Sequence, residues 1–327
     1  MNPLIEINHL STHFHTGSGT VKAVDDVSFR IHPGETVCIV GESGCGKSIT
    51  AMSIMGLVEG PHGKVVNGSI QFDGKDLLRI SKEELRRIRG NDISIIFQEP
   101  MSSLNPVITI GKQIMEPLMI HQRLSKKQAY ARALELIELV GIPRAEQIAE
   151  SYPHQLSGGM LQRIMIAIAI SCEPKLLIAD EPTTALDVTI QAQVLETLRQ
   201  SKEQSNMSIM LITHDLGVVA EMADYVIVMY AGKIVEEGEV TELFERPKHP
   251  YTQGLLRSKP IIGQRTEELF SIPGQVPNPL ELTESCYFHD RCDSCMDICR
   301  TRQPELKQVS ASQRAACWLY EEEAQHE

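Results

Sequence analysis

The stretch GESGCGKS, residues 41–48, decides the fold. It fits the pattern G-x-x-x-x-G-K-[ST], a loop whose backbone N–H groups turn inward around phosphate oxygens. Gly41, Ser43, Gly44, Cys45 and Gly46 form the expected cradle. Lys47 supplies a point charge for β- and γ-phosphates, and Ser48 offers a hydroxyl to Mg²⁺. The flanks agree with this reading. TVCIV (36–40) is a short apolar run with the look of a buried strand, and the run from Ile49 to Leu57, ITAMSIMGL, reads as a helix. A strand feeding a glycine-rich turn that opens a helix brings the helix N-terminus, with its partial positive charge, to the phosphates.

Outward from the loop the chain alternates in the same way. ISIIF (93–97), LLIAD (176–180) and IMLIT (209–213) are short, apolar and bounded by breakers, as strands buried on both faces are. In KKQAYARALELIELVGI (126–142), Ala129, Ala133, Leu136, Ile137 and Val140 fall on one helical face, and Gly141 and Pro143 stop the helix. The pattern predicts an α/β fold with a mostly parallel sheet and a helical insertion over about 101–169. LLIADEP supplies acids at a strand's mouth. Asp180 is placed to hold Mg²⁺, directly or through water, and Glu181 to polarise an attacking water. Past residue 240, proline and glycine in RPKHPYTQGLL and SIPGQVPNPLELTES predict an extended tail over 241–327, packed on the main body, rather than a second α/β unit.

QLSGGMLQR (155–163) adds a second candidate anion site, with Ser157, Gly158 and Gly159 opening a helix. Two such sites in one chain are more than one nucleotide needs. Here the sequence resembles the nucleotide-binding subunits of ABC transporters, in which two cassettes pair head to tail and each signature closes over the partner's nucleotide. The resemblance implies an ABC-type P-loop ATPase core spanning residues 1–240. It implies further roles in order along the chain. Gln98 in FQEP resembles the glutamine that touches Mg²⁺ and the attacking water. Asp187 in ALD resembles the interface aspartate, and His214 in ITHD the switch histidine at the γ-phosphate. Phe14 in STHFHTG resembles the aromatic that stacks on adenine. Met160 stands where the family has Gln, a departure the backbone-based phosphate contact should tolerate. GESGCGKS, IIFQEPMSSLNPV, YPHQLSGGM, HPYTQGLL and IPGQVPNPLELTESCYFHDRC together look like the dipeptide/oligopeptide branch of ABC importers. That branch implies ATP and Mg²⁺, a second and non-identical ATPase subunit, two integral membrane permease subunits and a periplasmic or extracellular peptide-binding protein. It does not name the cargo, since longer peptides or haem use similar cassettes.

Composition agrees with a cassette of this kind. The 327 residues are 42% hydrophobic and 23% charged, with a net charge of −12. An acidic balance opposes general nucleic-acid binding, which needs a basic face. A soluble ABC ATPase acting on DNA or ribosomes would also carry two cassettes or a long coiled coil, and the tail argues against an exporter. MNPLIEINHL lacks the basic start and apolar run of a signal peptide, and the longest apolar runs, such as IMIAIAI (164–170), fall far short of a membrane span. The chain is therefore expected at the cytoplasmic face of the membrane, held by its partners.

The cysteines concentrate near one end. CYFHDRCDSCMDIC (286–299) holds four, and Cys317 follows; Cys38, Cys45 and Cys172 read as small residues inside the fold. A reducing compartment disfavours disulfides. The spacings Cys292-x₂-Cys295 and Cys295-x₃-Cys299 suit Zn²⁺, an iron–sulfur cluster also takes four thiolates, and free thiols stay open. The resemblance to peptide-importer tails selects Cys286, Cys292, Cys299 and Cys317, and implies a four-iron, four-sulfur (4Fe-4S) cluster with Cys295 as a spare.

Overall fold

A computed structural model describes residues 2–58, 60, 62–184, 186–258 and 270–321. The sequence ends in EEEAQHE (321–327), which reads as a solvated acidic end, and of it all but Glu321 lies outside the described residues. The chain divides into two compact units, neither of them contiguous: residues 1–4, 31–36 and 79–212 form the first, and 5–30, 37–78 and 213–327 the second.

The first unit contains the strands Ile93–Ile96, Leu176–Asp180 and Ser208–Ile212, paired in parallel with Asp180 opposite Ile212. Leu176–Asp180 and Ser208–Ile212 are buried at every position. This is why their sequences read as unbroken apolar runs rather than alternations. The helices Ile110–His121, Lys126–Leu139, Ala145–Ala149 and Gly158–Ile170 follow with no strand between them. Ser125 starts the second of these with a capping box: its hydroxyl accepts from the Gln128 amide while the Gln128 side chain takes the Ser125 N–H. The apolar face expected there is the buried one, with Ala129, Ala133 and Ile137 fully sequestered.

The second unit takes in residues 37–40 of the strand Thr36–Val40, which is buried throughout and runs parallel to Tyr225–Tyr230. On the far side of Tyr225–Tyr230 the pairing turns antiparallel, through Lys233–Glu239 to Gln313–Ala315 and then Lys307–Gln308. The tail thus contributes two strands. A separate antiparallel sheet has the order Gly19–Ile31, Ile5–Thr16, Gly63–Phe72, Lys75–Asp76. The expected mostly parallel sheet is therefore corrected: parallel and antiparallel strands are mixed. The antiparallel sheet escaped the sequence reading because its alternation is broken. His9 (φ 50°) and Asp26 (φ 58°) take left-handed backbone, and the register between Ile5–Thr16 and Gly63–Phe72 shifts between Asn8 and Thr12. Among the described residues no helix is long and apolar enough to cross a membrane.

Candidate nucleotide site

The phosphate loop lies in the second unit, between the strand Thr36–Val40 and a helix Lys47–Ile54, which starts two residues before the run expected at 49–57 and ends three residues before its end. The loop's shape depends on glycine. Gly41, Gly44 and Gly46 have φ of +150°, +80° and +103°, and a Cβ on Gly41 would stand 2.2 Å from the Met229 carbonyl oxygen. Nothing lies within 4 Å of a Cβ built on Gly44, so the loop's crest is open, with Ser43 and Gly44 exposed. Lys47 is buried, and its Nζ donates to the carbonyls of Gly41 (2.7 Å) and Glu42 (3.0 Å). Those bonds hold the ammonium across the loop. Cys45 turns inward, its Sγ 3.6 Å from Lys47 Nζ, and burial pushes its thiol pKa up. Ile49 and Ser48 are half-buried on the first turn of the helix. Phe14, the expected adenine platform, sits on the antiparallel sheet of the same unit, paired across strands with Gly63. Its ring fills the space a Cβ at Gly63 would need, 2.6 Å away.

The acids lie in the first unit. Asp180 ends its strand at 5% exposure, and Glu181 follows with left-handed backbone, φ 49°. Glu181 Oε2 accepts from Gln98 Nε2 at 3.0 Å and from Thr184 Oγ1 at 2.9 Å. The structure thus brings together two residues chosen from motifs 83 positions apart. Thr184 was missed, because a threonine in EPTT carries no spacing signal of its own. Ser157 caps the helix Gly158–Ile170, its Oγ accepting from the Met160 amide, and Ser157 and Gly158 remain exposed. Gly159 packs near Ile190, 3.5 Å from where a Cβ would sit. Asp187 caps the helix Val188–Ser205, accepting from the amides of Thr189 and Ile190. In the second unit, His214 is exposed in the turn before the helix Leu216–Met222, which Asp215 caps. Ser48, Asp180 and Gln98 offer a hydroxyl, a carboxylate and an amide oxygen, the hard oxygen donors that Mg²⁺ takes.

The tail is anchored by aromatic residues. Tyr251, Phe288 and Trp318 are buried, and the rings of Tyr230, Tyr251 and Phe288 stand within 4.7–5.4 Å of one another. Glu236, fully buried, accepts from the amides of Lys248 and His249. Burial chiefly, then Cys299, Cys317 and Cys292, push Cys286 up to about 12, and burial with Cys292 and Cys299 puts Cys317 at about 11. Yet among the described residues no three His, Cys, Asp or Glu side chains form a group that could hold a metal ion. The expected 4Fe-4S or Zn²⁺ ligand set is therefore not assembled among the described residues.

The sequence matches the family model described as ABC transporter over residues 24–184 and the one described as oligopeptide/dipeptide transporter, C-terminal region, over 235–299. It is 56% identical over 323 residues to the oligopeptide transport ATP-binding protein AppD of Bacillus subtilis, covering 99% of this chain and 98% of that one. It is 48% identical over 314 residues to the dipeptide transport ATP-binding protein DppD of Escherichia coli, covering 96% of each. Among solved structures it resembles the dimeric ATP-binding cassette MJ0796 in a post-hydrolysis state bound to ADP and Pi, with a TM-score of 0.66 and 28% identity over 72% of this chain and 98% of that chain. These relatives align with the chain over nearly its whole length, tail included, and the chain belongs to the ABC transporter family, among the ATP-binding subunits of its oligopeptide and dipeptide importers.

Proposed function

We propose that this chain is one of two ATPase cassettes that drive uptake of dipeptides or oligopeptides through a pair of membrane permease subunits, from the cytoplasmic face of the membrane. The observation that carries the peptide reading is the match of residues 235–299 to the peptide-transporter C-terminal region, since a generic cassette needs no such tail. The dimeric MJ0796 cassette supports pairing with a second cassette. A peptide-binding protein outside the membrane would deliver cargo to the permeases. No nucleic acid is needed, in keeping with the net charge of −12.

In the proposed reaction, water attacks the γ-phosphorus of ATP in line, and the bond to the β–γ bridging oxygen breaks to leave ADP. Glu181 polarises the water and takes up its proton, with Gln98 orienting the carboxylate. Lys47 and His214 stabilise charge on the transferring group, and the loop amides of 41–48 hold the phosphates. Ser48, Gln98 and Asp180 would hold Mg²⁺, which neutralises β- and γ-phosphate charge when bound. Phe14 would carry the adenine. Ser157, Gly158, Gly159 and Asp187 would face the partner cassette's nucleotide. The test is the assembled transporter in vesicles, supplied with a labelled dipeptide. Lys47→Ala is expected to abolish both ATP hydrolysis and uptake; uptake that persists in this variant removes the motor role.

Cys286, Cys292, Cys299 and Cys317 would hold a four-iron, four-sulfur cluster in the tail. Its support is the donor chemistry, four thiols within one another's electrostatic reach. Iron, sulfide and zinc analysis of chain purified without oxygen decides it. About four irons and four sulfides per chain sustain the cluster, one zinc replaces it with a clip using Cys295, and neither leaves free thiols.

A further inference from the structure

Glu42 is the second residue of the phosphate loop, and its carboxylate is gripped from the tail. Arg291 Nη1 donates to Oε2 at 2.6 Å and Nη2 to Oε1 at 3.0 Å, a bidentate pair. The Arg291 side chain is 4% exposed and that of Glu42 30%. Arg291 also donates through Nε to the Pro273 carbonyl (2.8 Å), through Nη2 to the Ile272 carbonyl (3.4 Å) and through Nη1 to the Tyr230 hydroxyl (3.3 Å). All five guanidinium donors therefore have acceptors. The guanidinium also stands 5.7 Å from the Tyr230 ring centre and 5.9 Å from that of Phe288. A second contact reaches the same loop residue: the Glu42 backbone N–H donates to the Tyr251 hydroxyl at 2.8 Å, and Tyr251 is fully buried.

These contacts go beyond anchoring a tail. A buried ion pair is a poor source of stability, because desolvation offsets its attraction, but a fully satisfied one fixes geometry. What it fixes here is the entrance of a loop whose amides must converge on phosphate. An unpaired carboxylate at that entrance would also repel a triphosphate, and Arg291 cancels its charge.

We propose that Arg291 and Tyr251 are positioning residues of the ATP site, holding the phosphate loop ready for nucleotide, so that the C-terminal region sets the affinity for ATP. This rests on the reading of residues 41–48 as the phosphate loop. The test measures kcat and KM for ATP on the full-length chain, with hydrogen exchange of the amides of residues 42–47. Arg291→Ala is expected to raise KM about tenfold while kcat falls less than about threefold, and to speed exchange in the loop. Tyr251→Phe does the same more weakly, by about threefold in KM, since it removes one neutral hydrogen bond. Adding Glu42→Gln to Arg291→Ala recovers part of the lost affinity by removing the uncompensated charge; a merely structural role for Arg291 in the tail gives no such recovery. KM within twofold of the parent in both Arg291→Ala and Tyr251→Phe overturns the proposal, as does unchanged exchange in the loop with no recovery. Should Arg291→Ala fail to fold, Tyr251→Phe, which leaves the ring packing intact, decides by the same KM and exchange. Lys47→Ala is the separate control. Undiminished ATP binding in that variant sinks the phosphate-loop reading itself, whereas its loss beside a normal Arg291→Ala sinks only the positioning role.

Discussion

Glu181 combines a strained backbone with an oriented carboxylate. A glutamate at φ 49° is outside the conformations its type prefers, at a cost of roughly 1–3 kcal/mol, and such residues persist where surrounding structure over-determines them. Its amide is tied to the Ile212 carbonyl, and its carboxylate to Gln98 and Thr184. Glu181→Gln keeps the shape and loses the charge. We expect ATP binding to persist and turnover to fall by about a hundredfold or more, the range of a missing general base. Equilibrium nucleotide binding and steady-state hydrolysis check the two halves separately, and retained turnover would remove Glu181 from the role. The identity of Glu181 was legible from LLIADEP, because an acid after an apolar strand has a defined place. Its partner Thr184 and the clamp on Glu42 were not. Arg291 and Glu42 are 249 positions apart, and neither FHDRC nor GESG alone signals a pair.

At the scale of elements, helix starts do double duty. Asp187 and Ser157 were singled out for a nucleotide held by a partner, and each caps a helix of its own chain. Asp187→Ala should therefore cost about 1 kcal/mol of stability, with Asp187→Asn nearly neutral, because both Asp and Asn accept from first-turn amides. Urea unfolding of the isolated chain measures this apart from any effect on hydrolysis. Equal midpoints for the Ala and Asn variants would mean the cap contributes nothing. The parallel strands and the helix Lys126–Leu139 were legible because burial on both faces, or on one helical stripe, leaves a continuous or 3.6-residue apolar pattern. The antiparallel sheet was not, because a left-handed residue inside a strand resets the alternation on which such a reading depends.

The whole molecule has a pH-sensitive joint in its tail. His249 is buried, its Nδ1 accepts from the Tyr251 amide, and burial lowers its pKa to about 3. A group held neutral in the fold contributes stability that is complete above its unfolded pKa of 6.5 and lost as pH falls toward 3. The loss reaches roughly 4 kcal/mol at the lower end. Glu236 and Glu237, whose pKa values burial raises, act in the opposite sense, favouring the fold as acid protonates them. The measurement is therefore a difference: the melting temperature from pH 7 to pH 4.5 should fall more steeply in the parent than in His249→Gln. Parallel curves would show that His249 does not govern the slope. The tail's proline-rich composition suggested an extended tail packed on the main body, but which side chains bury themselves, Tyr251, Phe288 and Trp318, is something three scattered aromatics with no period could not announce. The clamp on Glu42 also has a consequence in time. During synthesis, at about 5–20 residues per second, the phosphate loop leaves the ribosome long before Arg291 is made, 249 residues later. For tens of seconds the nascent cassette has its cradle without its clasp, so it should acquire its full grip on ATP only when the tail around Arg291 has been added.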